Sequence, residues 1–184
     1  DLDQKQRDET LTIFSNKSYP VLIASDGASR GIDINDIDLV INYDLALNYK
    51  IHTHRIGRTA RAGKGGVATT FVLPNESKSS LEIKEHFPDI VFEDEKEIVF
   101  DNSFEIDSIF RSIFINGGKK QKLRKGDILG CLTVALGLNV NDIGKIDVFD
   151  FCSYVALKKD KLKFVLENLQ KTKIKGKYYN IYEK

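Results

Sequence analysis

The sequence predicts an α/β protein in two parts, a parallel-sheet domain followed by a smaller βαββαβ domain. Short apolar runs alternate with helix-like stretches in the first part, and strand and helix patterns alternate again after residue 110. Charge divides the chain as well. Residues 75–109 hold 3 Lys+Arg against 11 Asp+Glu, net −8, whereas residues 110–184 hold 16 against 7, net +9. We therefore place the first domain at 1–100, a linker at 101–109 and the second domain at 110–184.

Three continuous apolar runs in the first domain, at residues 21–24, 39–41 and 67–73, predict buried parallel strands. Helices are predicted at 3–14 and 49–62, and a glycine ends the second of them. Because three strands are few for a parallel sheet, we expect at least one further strand to precede the sequence.

The second domain shows the order βαββαβ, the split unit that RNA-recognition motifs use. Its strands are predicted at 112–115, 143–149, 153–157 and 177–182, and its helices at 125–136 and 161–169. Both helices carry apolar residues at helical spacing, which predicts one buried face for each. The net positive charge of this domain favours a polyanionic partner, with nucleic acid the first candidate.

Several classes of protein are excluded by composition. No apolar run approaches the roughly 18 residues of a membrane span, so no membrane partner is expected. The first residues lack a secretory signal, and Cys131 and Cys152 stand apart with no metal-ligand spacing. We expect both to be small apolar side chains in a reducing compartment, and the chain to be cytoplasmic. His52 and His86 have no evident partner, and a surface position is expected for both.

The strongest functional signal is the segment HRIGRTARAG at residues 54–63. Arginine suits bidentate phosphate recognition, and Arg58 and Arg61 stand three residues apart on the predicted helix. This spacing predicts that both guanidinium groups face one phosphate target. The alternative is a solvated basic face with ordinary surface ion pairs.

This segment resembles the HRIGRTGRAG motif of DEAD-box RNA helicases. Gln4 and Arg7 fit the QxxR element of the same family, residues 23–34 (IASDGASRGIDI) resemble VATDVAARGLDI, and residues 40–44 fit VINYD. The resemblance covers roughly residues 1–74. It implies a RecA-like helicase lobe, the second of two in this family.

The resemblance implies roles for individual residues. Arg58 and Arg61 would reach the γ-phosphate of ATP when two lobes close, and Asp33 would lie near the ribose. His54 would couple the ATP-bound state to RNA binding. The residues implied to face the RNA backbone are Gln4, Arg7, Ser25, Asp26, Arg30 and Gly31.

Two motifs that hold ATP with Mg²⁺ in this family do not occur in the sequence, GxxxxGK[ST] and the DEAD tetrapeptide. In the family both lie on the first lobe. We therefore expect this chain to supply arginine fingers and RNA contacts but to be inactive as an ATPase alone.

The basic domain resembles the RNA-binding domain of DbpA-type DEAD-box proteins. The shared phrases are INGGKKQKLR at 115–124, DIGKIDVFDFCSYV at 142–155 and KIKGK at 173–177. This resemblance covers about residues 110–182. It implies recognition of a hairpin in the peptidyl-transferase region of large-subunit ribosomal RNA, together with adjacent duplex and ribosome assembly intermediates.

Cations and one aromatic residue are the candidate RNA contacts of this domain. The cations predicted to contact phosphates or bases are Lys119, Lys120, Lys122, Arg124, Lys173 and Lys175. A solvated charge run is the alternative. Tyr154 is a candidate stacking platform or else an ordinary sheet aromatic. Tyr178, Tyr179 and Tyr182 are expected to pack on the closing strand.

Taken together, these features predict part of an ATP-dependent RNA helicase that binds a ribosomal RNA hairpin and remodels nearby RNA in ribosome assembly. One alternative is a non-catalytic RNA-binding module that uses a helicase lobe as a scaffold. Arg58, Arg61 and Asp33 argue against it, since a scaffold needs no γ-phosphate contact. A third class is a protein-interaction fragment that docks through the acidic stretch at 93–107.

Overall fold

The computed structural model describes residues 2–29, 34, 37–59 and 65–184. Two compact units form, the C-terminal unit (residues 1–23 and 104–184) and the central unit (residues 24–103). The helices are α1 Gln4–Ser15, α2 Asp26–Ser29, α3 Tyr49–Ile56, α4 Ser77–His86, α5 Lys125–Gly130 and α6 Lys159–Leu169. The strands are β1 Leu39–Asn42, β2 Val67–Thr70, β3 Phe110–Ile115, β4 Ile143–Val148, β5 Ser153–Lys158 and β6 Ile181–Glu183.

The C-terminal unit contains the predicted βαββαβ arrangement, which is confirmed. Its four strands form an antiparallel sheet in the order β4-β5-β3-β6. Side chains alternate between the two faces of a strand, so Phe114, Tyr154 and Tyr182, which lie opposite one another, share one face. Their neighbours in sequence, such as Ile113 and Val155, point to the other face and into the core.

Aliphatic residues on one face of the sheet pack against α5 and α6 to form that core. A π-helical turn, Cys131–Ala135, continues α5 and adds the buried Leu132. The fully buried aliphatic residues of this cluster are Ile113, Ile115, Ile128, Leu132, Val155, Leu157, Val165, Leu169 and Ile174. Their burial is the main stabilising contribution to this unit.

Helix α1 lies on the face of this sheet opposite α5 and α6. A capping box begins the helix, because the Asp3 carboxylate accepts from the Gln6 N–H and the Gln6 side chain accepts from the Asp3 N–H. At its other end the Asn16 amide donates to Ser112 Oγ at 2.6 Å. The Ser18 hydroxyl also lies 2.9 Å from that oxygen, and all three residues are buried. This buried polar cluster holds α1 against β3.

One ion pair and one hydrogen bond also hold α1 against the sheet. Lys184 on the closing segment pairs with Glu9 at 2.7 Å. Lys145 of β4 donates to Ser15 Oγ at 2.9 Å. The boundary between the two units at residues 103 and 104 lies within the predicted linker 101–109. Residues 1–23 belong to the C-terminal unit and not to the unit formed by residues 24–103.

The central unit contains a parallel pair, β1 and β2, at two of the three predicted positions. The prediction that these strands are buried is wrong, because Leu39, Ile41 and Val67 are 49%, 56% and 59% exposed. Asn42 at the end of β1 donates to Thr70 Oγ1 at 2.9 Å and ties the two strands together. The strand predicted at 21–24 is wrong, because this segment forms no strand and Ile23 is 95% exposed. A strand needs a hydrogen-bonded neighbour, and within the described residues β1 pairs with β2 alone in this unit.

Two histidines of the central unit differ in their surroundings. His52 on α3 is buried, with its ring edge against Phe87 at a centroid distance of 5.3 Å. The expected surface position is therefore wrong for His52, because α4 and the residues that follow it cover this side of α3. Burial, with a smaller contribution from Arg55, lowers the pKa of His52. His86 is exposed and stacks on Tyr49 at 3.7 Å.

No helix among the described residues has the length and apolar character needed to cross a membrane. A grouping of three or more His, Cys, Asp or Glu side chains suited to a metal ion is likewise absent from the part of the chain that the structure describes. Cys131 is buried against the core, as expected of a small apolar side chain, and burial raises the pKa of its thiol.

Two valines that differ in burial test which residues form the core of the C-terminal unit. Val165 on α6 is fully buried, whereas Val134 is 86% exposed. We expect Val165→Ala to lower the free energy of unfolding by about 2 kcal/mol, from lost burial plus the cavity left behind. Val134→Ala should change it by less than about 0.5 kcal/mol. Urea unfolding of both variants makes the comparison, and equal losses would contradict the described packing.

Candidate nucleic-acid interface

A basic loop follows β3 and is fixed by its backbone. The Lys119 and Lys120 amides donate to the carbonyl oxygens of Phe149 and Asp150, each at 2.8 Å. The Gln121 side chain accepts from the Gly118 N–H at 2.9 Å. The lysine side chains take no part in these bonds and are exposed. A rigid backbone therefore presents free cations.

Two glycines allow this loop to lie so close to its neighbours. A Cβ at Gly117 would lie 2.2 Å from the ring of Tyr179, and one at Gly118 would lie 2.2 Å from the carbonyl oxygen of Phe149. Both distances are far below contact, so a side chain at Gly118 would displace the backbone, and one at Gly117 would displace the Tyr179 ring or the loop.

The same loop leads directly into α5. Lys122 has a positive φ of 61°, and the next residue, Leu123, is buried in the core. The Arg124 N–H donates to Asp127 Oδ2 at 2.8 Å, which satisfies one backbone donor at the start of α5. The exposed Lys122 and Arg124 thus flank a buried anchor.

A second basic loop is a tight turn at residues 174–177. Lys175 and Gly176 both have positive φ, 52° and 80°, which defines a type I′ turn. Ile174 and Lys177 exchange backbone hydrogen bonds of 2.9 and 3.1 Å across it. Ile174 is fully buried, so this turn is also held by the core.

Lys175 joins the two loops. Its Nζ donates to the Lys122 carbonyl at 2.7 Å and lies 3.1 Å from Asp127 Oδ2. The hydrogen bond from Lys175 lowers the pKa of the Asp127 carboxyl. We call residues 118–125 and 173–177 together the basic loop pair. The structure brings all six predicted cations of this domain into that pair.

Tyr154 does not lie on this surface. It is 4% exposed and lies on the sheet face opposite α5 and α6. Its ring centroid is 5.4 Å from that of Phe114 and 6.0 Å from that of Phe149. Helix α1 covers it, and a hydrogen bond from the phenol reaches Glu9. Tyr154 therefore offers no free ring face for a base in this structure.

Asp26 of the central unit forms a bidentate ion pair with Arg55. The Arg55 Nε lies 2.7 Å from Asp26 Oδ1 and Nη2 lies 2.8 Å from Oδ2. Arg55 also donates to the Asp44 carbonyl at 2.7 Å, and its hydrogen bonds to Asp26 raise the pKa of Arg55. Sequence reasoning singled out Asp26 but missed Arg55, although it stands inside the HRIGR segment. Ser25, next to Asp26, is exposed.

Arg58 lies beyond the end of α3, which Gly57 caps. The expectation that Arg58 lies on the helix is therefore wrong, because the chain turns at Gly57 and the buried Thr59 donates to the Ile37 carbonyl. Arg58 is half-buried, and His54 is exposed in the last turn of α3. Four predicted site residues lie outside the described residues: Arg30, Gly31, Asp33 and Arg61.

Gln4 and Arg7 lie on α1, and both are exposed. The Gln4 side chain donates to Asp8 Oδ1 at 2.8 Å, one helical turn away. Arg7 Nε donates to the Leu2 carbonyl at 3.2 Å. The helix that carries both residues packs on the sheet of the C-terminal unit.

Comparison with known proteins matches two segments of the chain, one of which includes residues from both units. Residues 112–183 match the DbpA RNA binding domain, and residues 1–63 match the helicase conserved C-terminal domain. The ATP-dependent RNA helicase DbpA of Escherichia coli (strain K12) is 41% identical over 96% of this chain. The protein of the same name from Bacillus subtilis (strain 168) is 34% identical over 97% of it. The chain belongs to the DbpA type of DEAD-box proteins.

The alignments with these DbpA-type relatives span only part of their length, 38% and 42% respectively. A solved structure of the C-terminal domain of the DEAD-box protein Dbp5 also matches, with 37% identity and a TM-score of 0.45. That match covers 50% of this chain and 54% of the other.

The covered Tyr154 predicts a response to alkaline pH. Burial and the nearby Glu9 carboxylate raise the pKa of Tyr154 above its ordinary value of 10.0. Above pH 10 the phenol ionises in the unfolded chain but not in the folded one, so stability falls as pH rises, by up to about 1.4 kcal/mol per pH unit.

Urea unfolding on either side of pH 10 measures this loss. Tyr154→Phe should reduce it, and Tyr43→Phe, at a tyrosine that is 81% exposed, should not. If Tyr154→Phe loses stability above pH 10 to the same extent as the unaltered chain, the Tyr154 phenol is exposed to solvent and the described burial is contradicted.

Proposed function

We propose that this chain is part of an ATP-dependent RNA helicase that binds a large-subunit ribosomal RNA hairpin and remodels adjacent RNA during ribosome assembly in the cytoplasm. The observation that carries the proposal is the basic loop pair, which lies within the segment that matches the DbpA RNA binding domain. Its cations are exposed while its backbone is fixed, so little ordering is needed when phosphates bind.

RNA suits this surface because the cations occupy two loops that Lys175 connects. Such an arrangement can contact successive phosphates of one strand. Lys175 lies at the junction and already holds one carboxylate, that of Asp127. An RNA phosphate would compete with that carboxylate for the same ammonium group, whereas Lys119 and Lys120 keep free side chains.

The central unit would supply the helicase part of this function. By their place in the DEAD-box motifs, Arg58 and Arg61 would contact the γ-phosphate, Asp33 the ribose, and His54 would couple nucleotide to RNA. ATP with Mg²⁺ would be held mainly by a first lobe, so this chain alone is proposed to be inactive as an ATPase. Within the chain, Arg55 positions Asp26 for its proposed contact with the RNA backbone.

The two parts would work together through tethering. Binding of the basic loop pair to its hairpin raises the effective concentration of the helicase lobe near the adjacent duplex. Specificity would therefore lie in the C-terminal unit, and strand separation would depend on residues of the central unit.

Binding to a large-subunit ribosomal RNA hairpin and to a scrambled hairpin, over a salt titration, tests the first half of the proposal. We expect a preference for the ribosomal hairpin that persists at moderate salt. The double change Lys119→Gln and Lys120→Gln should weaken binding and reduce the salt slope by about 0.7 to 0.9 per lost phosphate contact.

The matched control is Lys163→Gln, which removes an exposed lysine from α6, outside the basic loop pair. It should leave both affinity and salt slope nearly unchanged. Equal, steeply salt-dependent binding to the two hairpins would contradict the ribosomal assignment.

A second experiment tests the enzymatic half. With a first helicase lobe supplied, we expect RNA-stimulated ATP hydrolysis that Arg58→Ala lowers by a factor of about 10³ or more, the range found for arginine fingers. Val134→Ala should leave the rate unchanged. Full activity of the Arg58 variant would favour the alternative, an RNA-binding module with the helicase lobe as a scaffold.

A further inference from the structure

A pocket of about 290 Å³ opens at the β6 edge of the sheet, next to the basic loop pair. Its volume is just below the roughly 300–1,000 Å³ typical of small-molecule sites, which suits one flat ring system. The residues that line it are Gln170, Tyr178, Tyr179, Asn180, Ile181 and Tyr182.

The three tyrosines of this pocket have different roles in the fold. The ring of Tyr179 lies against Gly117, where a Cβ would have no room, and the ring of Tyr182 stacks on Phe114 at 5.4 Å. These two pack on the sheet, as the sequence predicts. Tyr178 does not: it is 61% exposed. An aromatic ring left exposed on a rigid edge beside cations is available to a ligand.

Lys173 of the basic loop pair approaches this ring. Its Nζ lies 5.5 Å from the centroid of Tyr178, within cation–π distance. A cation beside an exposed aromatic ring is the combination that binds single-stranded nucleic acid, since the ring stacks on a base and the cation neutralises the phosphate.

Polar groups at the pocket can reach the edge of a base. Asn180 has an exposed side chain, and its amide offers both donors and an acceptor. Its backbone is fixed, because the Asn180 carbonyl accepts from the Asn116 N–H at 2.9 Å. Gln170 donates to the Ile181 carbonyl at 3.0 Å, and its own side-chain oxygen is a further acceptor.

We infer that this pocket binds one unpaired RNA nucleobase, stacked on Tyr178 and hydrogen-bonded to Asn180, with its phosphate at Lys173. The inference rests on the proposed RNA-binding function and assigns it a base-reading site outside the sheet face. That face carries the stacking aromatics of ordinary RNA-recognition motifs, but here helix α1 covers Tyr154. The edge pocket leaves α1 in place.

Affinity measurements on the full 184-residue chain test the inference. The probes are an RNA hairpin with unpaired loop nucleotides and a blunt duplex with the same stem. Tyr178→Ala should weaken binding to the hairpin by about fivefold to a hundredfold, the range for loss of one base–aromatic stack. Tyr178→Phe should stay within about twofold of the unaltered chain, because the ring remains. Binding to the duplex should not change.

The matched control is Phe164→Ala, which removes an exposed aromatic ring, 46% exposed, from α6 in the same unit. It should leave hairpin binding unchanged. Equal weakening by Tyr178→Ala for hairpin and duplex, or no weakening for either, would overturn the inference.

An abasic scan of the loop separates stacking from a general surface effect. One abasic position should weaken binding of the unaltered chain and have little further effect on the Tyr178→Ala variant. Additive losses at every position would overturn the inference. If the chain binds neither RNA, the proposed function itself fails. If it binds the hairpin and Tyr178→Ala has no effect, only the base site fails.

Discussion

The close backbone approach at Gly117 and Gly118 is the constraint on which the C-terminal unit depends. A side chain at either position would collide with the ring of Tyr179 or with the backbone at Phe149. Because both positions are free of side chains, the loop after β3 rests on the turn between β4 and β5, and its lysines are presented from a fixed backbone. The same contact holds Tyr179 inward and leaves its neighbour Tyr178 outside. One steric condition thus shapes both the charged surface and the aromatic pocket beside it.

Burial and charge are separated within each functional loop. Leu123 and Ile174 enter the core, while the basic residues on either side of them are exposed to water. The apolar anchors hold the loops and leave most of the cations available to a ligand, whereas Lys175 also bonds to the Lys122 carbonyl and to Asp127. In the central unit the opposite holds for Arg55, whose guanidinium is engaged by Asp26 and the Asp44 carbonyl. Position in the fold, rather than residue type, decides which cations are available.

Local patterns in the sequence predict the βαββαβ unit well, since its strands and helices carry continuous or periodic aliphatic residues that fill a core. Six of the cations in the basic loop pair could also be predicted as candidate contacts, because they stand in short runs beside glycines. The docking of α1 could not, since Asn16 and Ser112 are 96 residues apart and leave no local signal. For the same reason the burial of Tyr154 was missed. The sequence did not predict the end of α3 at Ile56, because a helix can tolerate a glycine such as Gly57. The hydrogen bond from Thr59 to the Ile37 carbonyl, which accompanies the turn, is not evident from the sequence.

Lys122 and Lys175 adopt left-handed backbone conformations, with φ of 61° and 52°. Glycine adopts this conformation freely, whereas a residue with a Cβ is disfavoured there by about 1 kcal/mol. The domain therefore gives up some folding stability at two positions and keeps a positive charge at each. Lys175 recovers part of this cost through its bonds to the Lys122 carbonyl and to Asp127. At Lys122, selection for thermal stability alone would favour glycine, and the more stable protein would bind polyanions less tightly. In this loop pair, stability and function pull the sequence in opposite directions.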